Sequence, residues 1–245
     1  MRLVPFAFKL HRLLSYLVFA QMLLWVIGGA VFALLPFQSW VKAHDFARKP
    51  TVSLAADWSQ TLQAGLAQRD TALAEIVSVA SFVSPYGPAW RAKHAKGETL
   101  LNAAGEPLNA PDTAAITAMA ATIYTGSGRL LAVEHLQVVP RRLVIVKETG
   151  PRHNVWRASY DDSQSTRLYF DGVSGEFLTA RTEAWVWFDL MWRLHVMDYA
   201  DGEDFNNLLL RVFSVLALFF AASGAVLTVA AIRRSVRRLR RPATA

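Results

Sequence analysis

Two long hydrophobic runs bracket this chain, and both are flanked by basic residues. Leu13 to Phe37 holds no charged residue, and neither does Val212 to Ile232. A helix crosses the roughly 30 Å hydrocarbon layer of a bilayer in about 20 residues, so each run is long enough to span. Arg2, Lys9 and Arg12 precede the first run. Arg233, Arg234, Arg237, Arg238, Arg240 and Arg241 come after the second, and neither end contains an acid. Basic flanks are retained on the cytoplasmic side. The expected threading therefore has both ends inside and residues 38–211 outside.

The net charge of +7 reflects this arrangement. Nine of the 26 basic residues sit in the two ends, which leaves 17 against all 19 acids and a central body of about −2. The basicity sets topology and favours anionic lipid headgroups. It does not call for nucleic acid. The chain has no cysteine, which rules out thiol redox chemistry and cysteine-held iron–sulfur clusters and leaves an exported body to depend on its core. The first run is too long for the 7–15-residue apolar core of a signal peptide, and Leu34-Leu35-Pro36-Phe37 offers no small-residue cleavage pattern. An uncleaved anchor is expected.

Between the runs, short patterns recur. Trp40, Lys42, His44 and Asp45 lie in a connector that Pro50 closes, and Trp40 is of the type that sits at headgroup level. Leu54, Trp58, Leu62 and Leu66 repeat every four residues, the period of a helix face. The β-formers Ile76, Val77, Val79, Phe82 and Val83 make Glu75 to Val83 a strand. Trp90-Arg91-Ala92 is followed by Gly105-Glu106-Pro107-Leu108. Sixty-six residues after Trp90 the pattern returns as Trp156-Arg157-Ala158, followed by Gly175-Glu176-Phe177-Leu178. A helix opening at Pro111-Asp112 and reaching about Tyr124 precedes the second copy. Leu143 to Lys147, Asn154 to Tyr160 and Arg167 to Asp171 are its expected strands, with turns at 161–163 and 172–175. The body reads as α+β, a helix and an antiparallel sheet, twice over.

The segments Val155-Trp156-Arg157, Leu168-Tyr169-Phe170-Asp171 and Ser174-Gly175-Glu176 resemble a PepSY domain. The stretch from Trp185 into the second run is similar to the PepSY-associated transmembrane proteins. It comprises Trp185, Phe188-Asp189-Leu190, Trp192-Arg193-Leu194-His195-Val196-Met197-Asp198-Tyr199, Phe205-Asn206-Asn207 and then Ser223-Gly224. His11-Arg12 ahead of the first long helix also fits. The likeness is strong from Val155 to Gly224 and weak from Asp45 to Thr149. It implies a bacterial inner-membrane protein with a periplasmic tandem PepSY-like region between two transmembrane helices. The expected parts are a cytoplasmic N-terminus (1–12), a first span (13–37), a connector (38–50) and PepSY-like units at 51–110 and 111–183. After these come an amphipathic membrane-surface segment (184–207), a second span (208–232) and a basic tail (233–245).

His195 is the first candidate for chemistry. A helix from Trp185 to about Val196 places Phe188, Trp192 and His195 near one face, and an imidazole there either ligates haem iron or a metal or makes a structural hydrogen bond. His44 is expected on the same outer side. His11 lies at the opposite end, too far to share one haem with His195 in a single chain. His94, His135 and His153 form no HExxH-like spacing, so a zinc hydrolase is unsupported. Asp198, Asp201, Glu203 and Asp204 are either a cation site or a solvated turn, and Arg211 either snorkels or pairs with one of them. Trp185, Trp192, Asp198 and Tyr199 are the candidate interaction residues. Ala217, Ala221 and Ala225, and Gly29 with Ala33, offer small-residue faces for close helix approach, while Gln21 offers a hydrogen bond to a neighbouring helix. No GxSxG, P-loop or GxGxxG is present, so the chain is not expected to be an enzyme by itself. Two functions are open to such a chain. One is a periplasmic module that binds or modulates a membrane or envelope protein, as a single chain or a homo-oligomer. The other is a haem b-binding component of membrane electron transfer serving iron–siderophore or flavoprotein reduction.

Overall fold

A computed structural model describes residues 3–68, 76–95, 97–200 and 202–239. The chain is α+β, with two long apolar helices at its two ends in sequence and the sheets between them. These helices, α1 (Leu3–Leu34) and α5 (Leu208–Leu239), contain windows of mean hydropathy 2.2 and 2.4 and are long and apolar enough to cross a membrane. Both exceed the expected spans. The α1 helix already includes Lys9, His11 and Arg12 and stops before Phe37, and α5 continues past Ile232. A long basic side chain at the end of an apolar helix continues the backbone hydrogen-bond ladder while its charge reaches toward water. Arg2, Arg240, Arg241, Asp201 and Glu75 lie outside the described residues.

The chain divides into two compact units, 1–34 with 188–245, and 35–187. The helical unit is organised by a stripe on α1. Ala7, Leu14, Val18, Gln21 and Gly28 are its buried residues. With His11, Trp25 and Phe32 they recur at alternating intervals of four and three, the seam spacing of packed antiparallel helices. The His11 ring stacks on Phe220 of α5 with centroids 4.3 Å apart, and a Cβ at Gly224 would sit 3.2 Å from His11 Cε1. Glycine at 224 is thus what admits the imidazole. Within one chain, part of the small-residue faces expected from spacing lies outside this seam. Ala221 and Ala225 are exposed, and nothing lies within 4 Å of a Cβ built at Gly29, whereas Gly28 meets Met191 of α4 (Glu183–Val196).

In the second unit, a helix followed by an antiparallel sheet occurs twice. First come α2 (Trp58–Ala67), β1 (Ile76–Ser84), β2 (Gly87–His94) and β3 (Gly97–Asn102), forming a sheet in the order β1-β2-β3. Then come α3 (Thr113–Ile123), β4 (Leu130–Leu136), β5 (Val155–Tyr160), β6 (Arg167–Asp171) and β7 (Phe177–Arg181), in the order β4-β5-β6-β7. Asp112 caps α3, its carboxylate accepting the Ala115 N–H at 2.7 Å.

The repeated Trp-Arg-Ala triplet is explained by strand alternation. Trp90 and Ala92 face Leu62 and Leu66 of α2 together with Leu101. Trp156 and Ala158 face Ile116, Met119, Ala120 and Ile123 of α3 together with Leu168 and Phe170. The arginine between them points to the other side in each case, Arg91 pairing with Glu98 and Glu176, Arg157 with Glu134. The turns match as well. The Asn102 N–H donates to the Glu106 carbonyl, as the Asp171 N–H does to the Glu176 carbonyl.

Three sequence expectations change. Leu54 precedes α2 and is exposed. Leu143 to Lys147 is not a strand, because Leu143 and Val144 have φ of 45° and 71° and close a turn bridged by Arg142 and Val146. The strand beside β5 is instead Leu130–Leu136, and a further strand, β7, completes the sheet.

Gly65 of α2 packs directly on the backbone of Gly105, which itself needs a positive φ of 77°. A Cβ at 65 would run into the Gly105 carbonyl. Gly65→Ala is expected to destabilise the body by about 1–3 kcal/mol through overpacking, read as a lower urea midpoint of the detergent-purified protein. An unchanged midpoint contradicts this packing.

Candidate functional site

Helix α4 carries the aromatic segment around His195. Phe188, Trp192 and His195, spaced four and three residues apart, stack in a row with centroids 6.5 and 6.4 Å apart and nearly parallel planes. Phe32 of α1 closes over all three rings, and Trp25 lies 5.8 Å from the imidazole. His195 Nδ1 is buried and has no hydrogen-bond partner among the described residues.

The C-terminus of α4 is held by side chains. A helix leaves its last carbonyls without intrahelical donors. Here Gln21 Nε2 donates to Leu194 O at 3.0 Å, Trp25 Nε1 to His195 O at 2.9 Å, and Asn207 Nδ2 to Val196 O at 2.9 Å. Gln21 thus reaches a neighbouring helix as expected, and that helix is α4. The Asp189–Arg193 pair, one helical turn apart at 2.6 Å on the same element, joins a buried arginine to a half-buried aspartate.

The acidic turn after α4 is built around Asp198. Its carboxylate accepts N–H groups from Ala200, Gly202, Glu203 and Asp204 at 2.8–3.1 Å. Its lone pairs are therefore engaged by the loop itself, and the described residues contain no group of three metal-ligating side chains. Trp192 joins this loop, its indole N–H donating to Gly202 O. Tyr199 is exposed.

Of the other candidate histidines, His11 belongs to the same unit as His195. His11 Nδ1 is 3.1 Å from Ser223 Oγ and 3.2 Å from Phe220 O. It lies fourteen residues before Trp25 on α1, about 21 Å of helix rise, so it does not share a site with His195 in one chain. His44 belongs to the second unit. Of the remaining three, His94 bonds Thr99, His135 stacks on Trp156 and bonds Asn154, and His153 joins no metal-ligating group among the described residues.

His44 lines a recess of about 330 Å³ in the second unit. One wall is the whole of β7, Phe177 to Arg181, and the other is the connector with Val41, Lys42, His44, Ala47 and Lys49. Trp185 stands at its end, with the Arg181 guanidinium 4.0 Å over its ring. No acid lines this recess, and Lys42 and Lys49 form no ion pair among the described residues. Strand β7 is the last of its sheet and pairs only with β6. A second recess of about 380 Å³ continues past Lys49, Phe177 and Leu178 to Arg152, Lys93 and Arg91.

Strand β6, which holds β7, is anchored by a buried charge network. Glu148 is almost fully enclosed and accepts from Arg167 Nε at 2.8 Å and from the Tyr169 hydroxyl at 2.9 Å, while its carbonyl accepts from Arg181 Nε. Arg167 also pairs with Glu183 at 2.9 Å. Burial beside the Glu148 charge pushes the Tyr169 hydroxyl well above the ordinary tyrosine range. At the far end of the sheet, Tyr124 and Tyr160 stack 3.7 Å apart. Burial and a hydrogen bond to Asp162 push Tyr124 up to about 12, and burial pushes Tyr160 up to about 12.

No family model matches the chain, and neither a curated protein nor a solved structure matches it.

Two outcomes are expected. Trp25→Phe keeps an aromatic side chain, though a smaller one, and removes the indole donor to His195 O; it should cost about 1–3 kcal/mol, read as a lower melting temperature in detergent. A melting temperature equal to wild type would show that this carbonyl finds another donor. The tyrosines are neutral in the folded chain at pH values where an unfolded tyrosine, at about 10, already ionises. The unfolded state then holds fewer protons, so stability falls as pH rises from about 10 through about 12. Alkaline titration followed at the tyrosinate absorbance should show late-ionising residues that become ordinary in urea, and Tyr124→Phe should remove one of them.

Proposed function

We propose that the chain is an inner-membrane protein of PepSY type, with both ends cytoplasmic and the 38–211 region periplasmic, whose body binds and modulates an envelope protein. The observation that carries this reading is the recess beside β7. It combines an unpaired strand edge, an aromatic anchor at Trp185 and the cations Lys42 and Lys49, which no acid lining the recess neutralises. An open strand edge offers a row of backbone donors and acceptors to another chain. An aromatic side chain such as Trp185 is a usual anchor of a partner surface, and the lysines add electrostatic complementarity to an acidic partner. The repeated helix-and-sheet body supports a PepSY-like origin, as do Val155 to Glu176 in their strand and turn positions.

A photoreactive residue in place of Leu178, beside the recess, tests this in intact cells. A discrete adduct with an envelope protein is expected from position 178 and none from a control position at Thr99. The absence of any adduct at 178 in the full-length protein overturns the reading.

A second reading rests on the buried, unpartnered Nδ1 of His195. That imidazole, packed beside Trp25, Phe32 and Trp192, would be the residue to hold a haem iron. In the helical unit of one chain the described residues bring no second histidine to it. When bound, the group supplies one-electron transfer, and the protein supplies the ligand and a water-poor wall. A Soret band in the detergent-purified protein, lost in His195→Ala, supports this reading. A colourless, haem-free preparation from haem-replete cells ends it.

A further inference from the structure

We infer that the β7 recess takes an acidic peptide segment in extended form, added as a fifth strand to the edge of the β4-β5-β6-β7 sheet. The inference rests on the partner-binding reading above and names the partner's chemistry. Five consecutive residues, Phe177–Arg181, form the floor. At about 3.3 Å per residue they offer roughly 17 Å of unpaired strand. The opposite wall is not a strand. Residues 37–47 hydrogen-bond mainly among themselves in a π-helical turn and the bends after it, and outward to Ile123 and Thr125 through Arg48 and Phe46. The gap is therefore bordered by an edge without a strand partner, on which the Ala180 carbonyl accepts from the Arg181 and Thr179 side chains, and by a wall bonded mainly within itself.

Charge selects the occupant. Lys42 and Lys49 face the gap without an acid in its lining, whereas the adjoining recess mixes Lys93 and Arg152 with Glu98, Asp171 and Glu176. There Arg91 is already neutralised by Glu98 and Glu176. A strand bearing carboxylates on alternate residues would place them along this row. A second copy of β7 would bring Arg181 as its one charged residue and no carboxylate, so it would not complement Lys42 and Lys49. A lipid headgroup or inorganic phosphate would meet the lysines but would leave the strand edge unused. The shared element is the anion, and the edge is what distinguishes a peptide.

The test uses full-length protein in detergent and a fluorescent, N-acetylated peptide of about eight residues alternating Glu and Val. Two further peptides carry N-methyl groups on every second amide, in the two possible registers, so that charge and composition stay equal. Binding is read by fluorescence anisotropy. The unmodified peptide is expected to bind. One methylated register should bind about tenfold more weakly and the other should bind like the parent, because only one edge of the peptide faces β7. Lys42→Gln with Lys49→Gln should also weaken binding about tenfold. Equal binding of all three peptides overturns the inference, as does displacement of the peptide by inorganic phosphate or by phosphatidylglycerol vesicles at matched anion concentration. The recess would then be an anion site alone. No peptide binding alongside a persistent adduct at position 178 sinks the inference and leaves partner binding standing. Loss of both removes the parent reading too.

Discussion

An α-helix ends with carbonyls that its own backbone does not satisfy, and in apolar surroundings each one left bare is expensive. Helix α4 meets this requirement with three side chains from its two long neighbours, Gln21 and Trp25 on α1 and Asn207 at the start of α5. The rest of the helical unit is consistent with that constraint. The seam on α1 places Gln21 and Trp25 in register with Gly28, which meets Met191, and with Phe32, which lies over the Phe188–Trp192–His195 row. At the other end of the seam, Gly224 makes room for His11. In a bilayer, where water offers no alternative partner, this kind of internal satisfaction is obligatory.

The body solves a different problem. Strand β6 of its second sheet is buried on both faces, Leu168 and Phe170 against the α3 core on one side and Arg167 and Tyr169 against Glu148 on the other. A carboxylate this enclosed is tolerable only when paired and hydrogen-bonded. Arg167 and Tyr169 supply both from alternate positions of β6, the side opposite to Leu168 and Phe170. Arg181 of β7 then bonds the Glu148 carbonyl. The strand that borders the cationic recess is thereby fixed from behind, while its outer edge stays without a strand partner. Rigid support behind an open edge is what a docking surface requires, because a partner then meets an ordered strand.

Much of this was legible from spacing. The apolar runs marked α1 and α5, the four-residue period marked most of α2, Pro111-Asp112 marked the start of α3, and the Trp-Arg-Ala repeat marked the two equivalent strands. The Phe188–Trp192–His195 row also followed from helical periodicity. Other features were hidden for physical reasons. Leu143 to Lys147 has the composition of a strand, yet Leu143 and Val144 take left-handed angles in a tight turn closed by Arg142 and Val146. Strand β7 is only five residues and half-buried, so no alternation singled it out. Lys42 and His44 were visible as connector residues, but their place opposite β7 depends on a fold that brings residues 41–49 and 177–185 together. The alternating four-and-three spacing from Ala7 to Phe32 was readable and would have identified Trp25 and Gly28 in advance. Small-residue counting pointed instead to Gly29 and to the exposed alanines Ala221 and Ala225.

The chain is thus a body carrying a supported, cationic strand edge, bounded in sequence by two helices fit to span a bilayer. The central claim is that this body lies on one side of the membrane and both basic ends lie on the other. Because the chain has no cysteine, single cysteines report this without background. Ser127→Cys in the body and Ser235→Cys in the basic end of α5, both exposed positions, are treated with a membrane-impermeant maleimide on intact spheroplasts. The account predicts labelling at 127 and protection at 235 until the membrane is opened by detergent. Labelling at 235 in intact spheroplasts, with 127 protected, would contradict it.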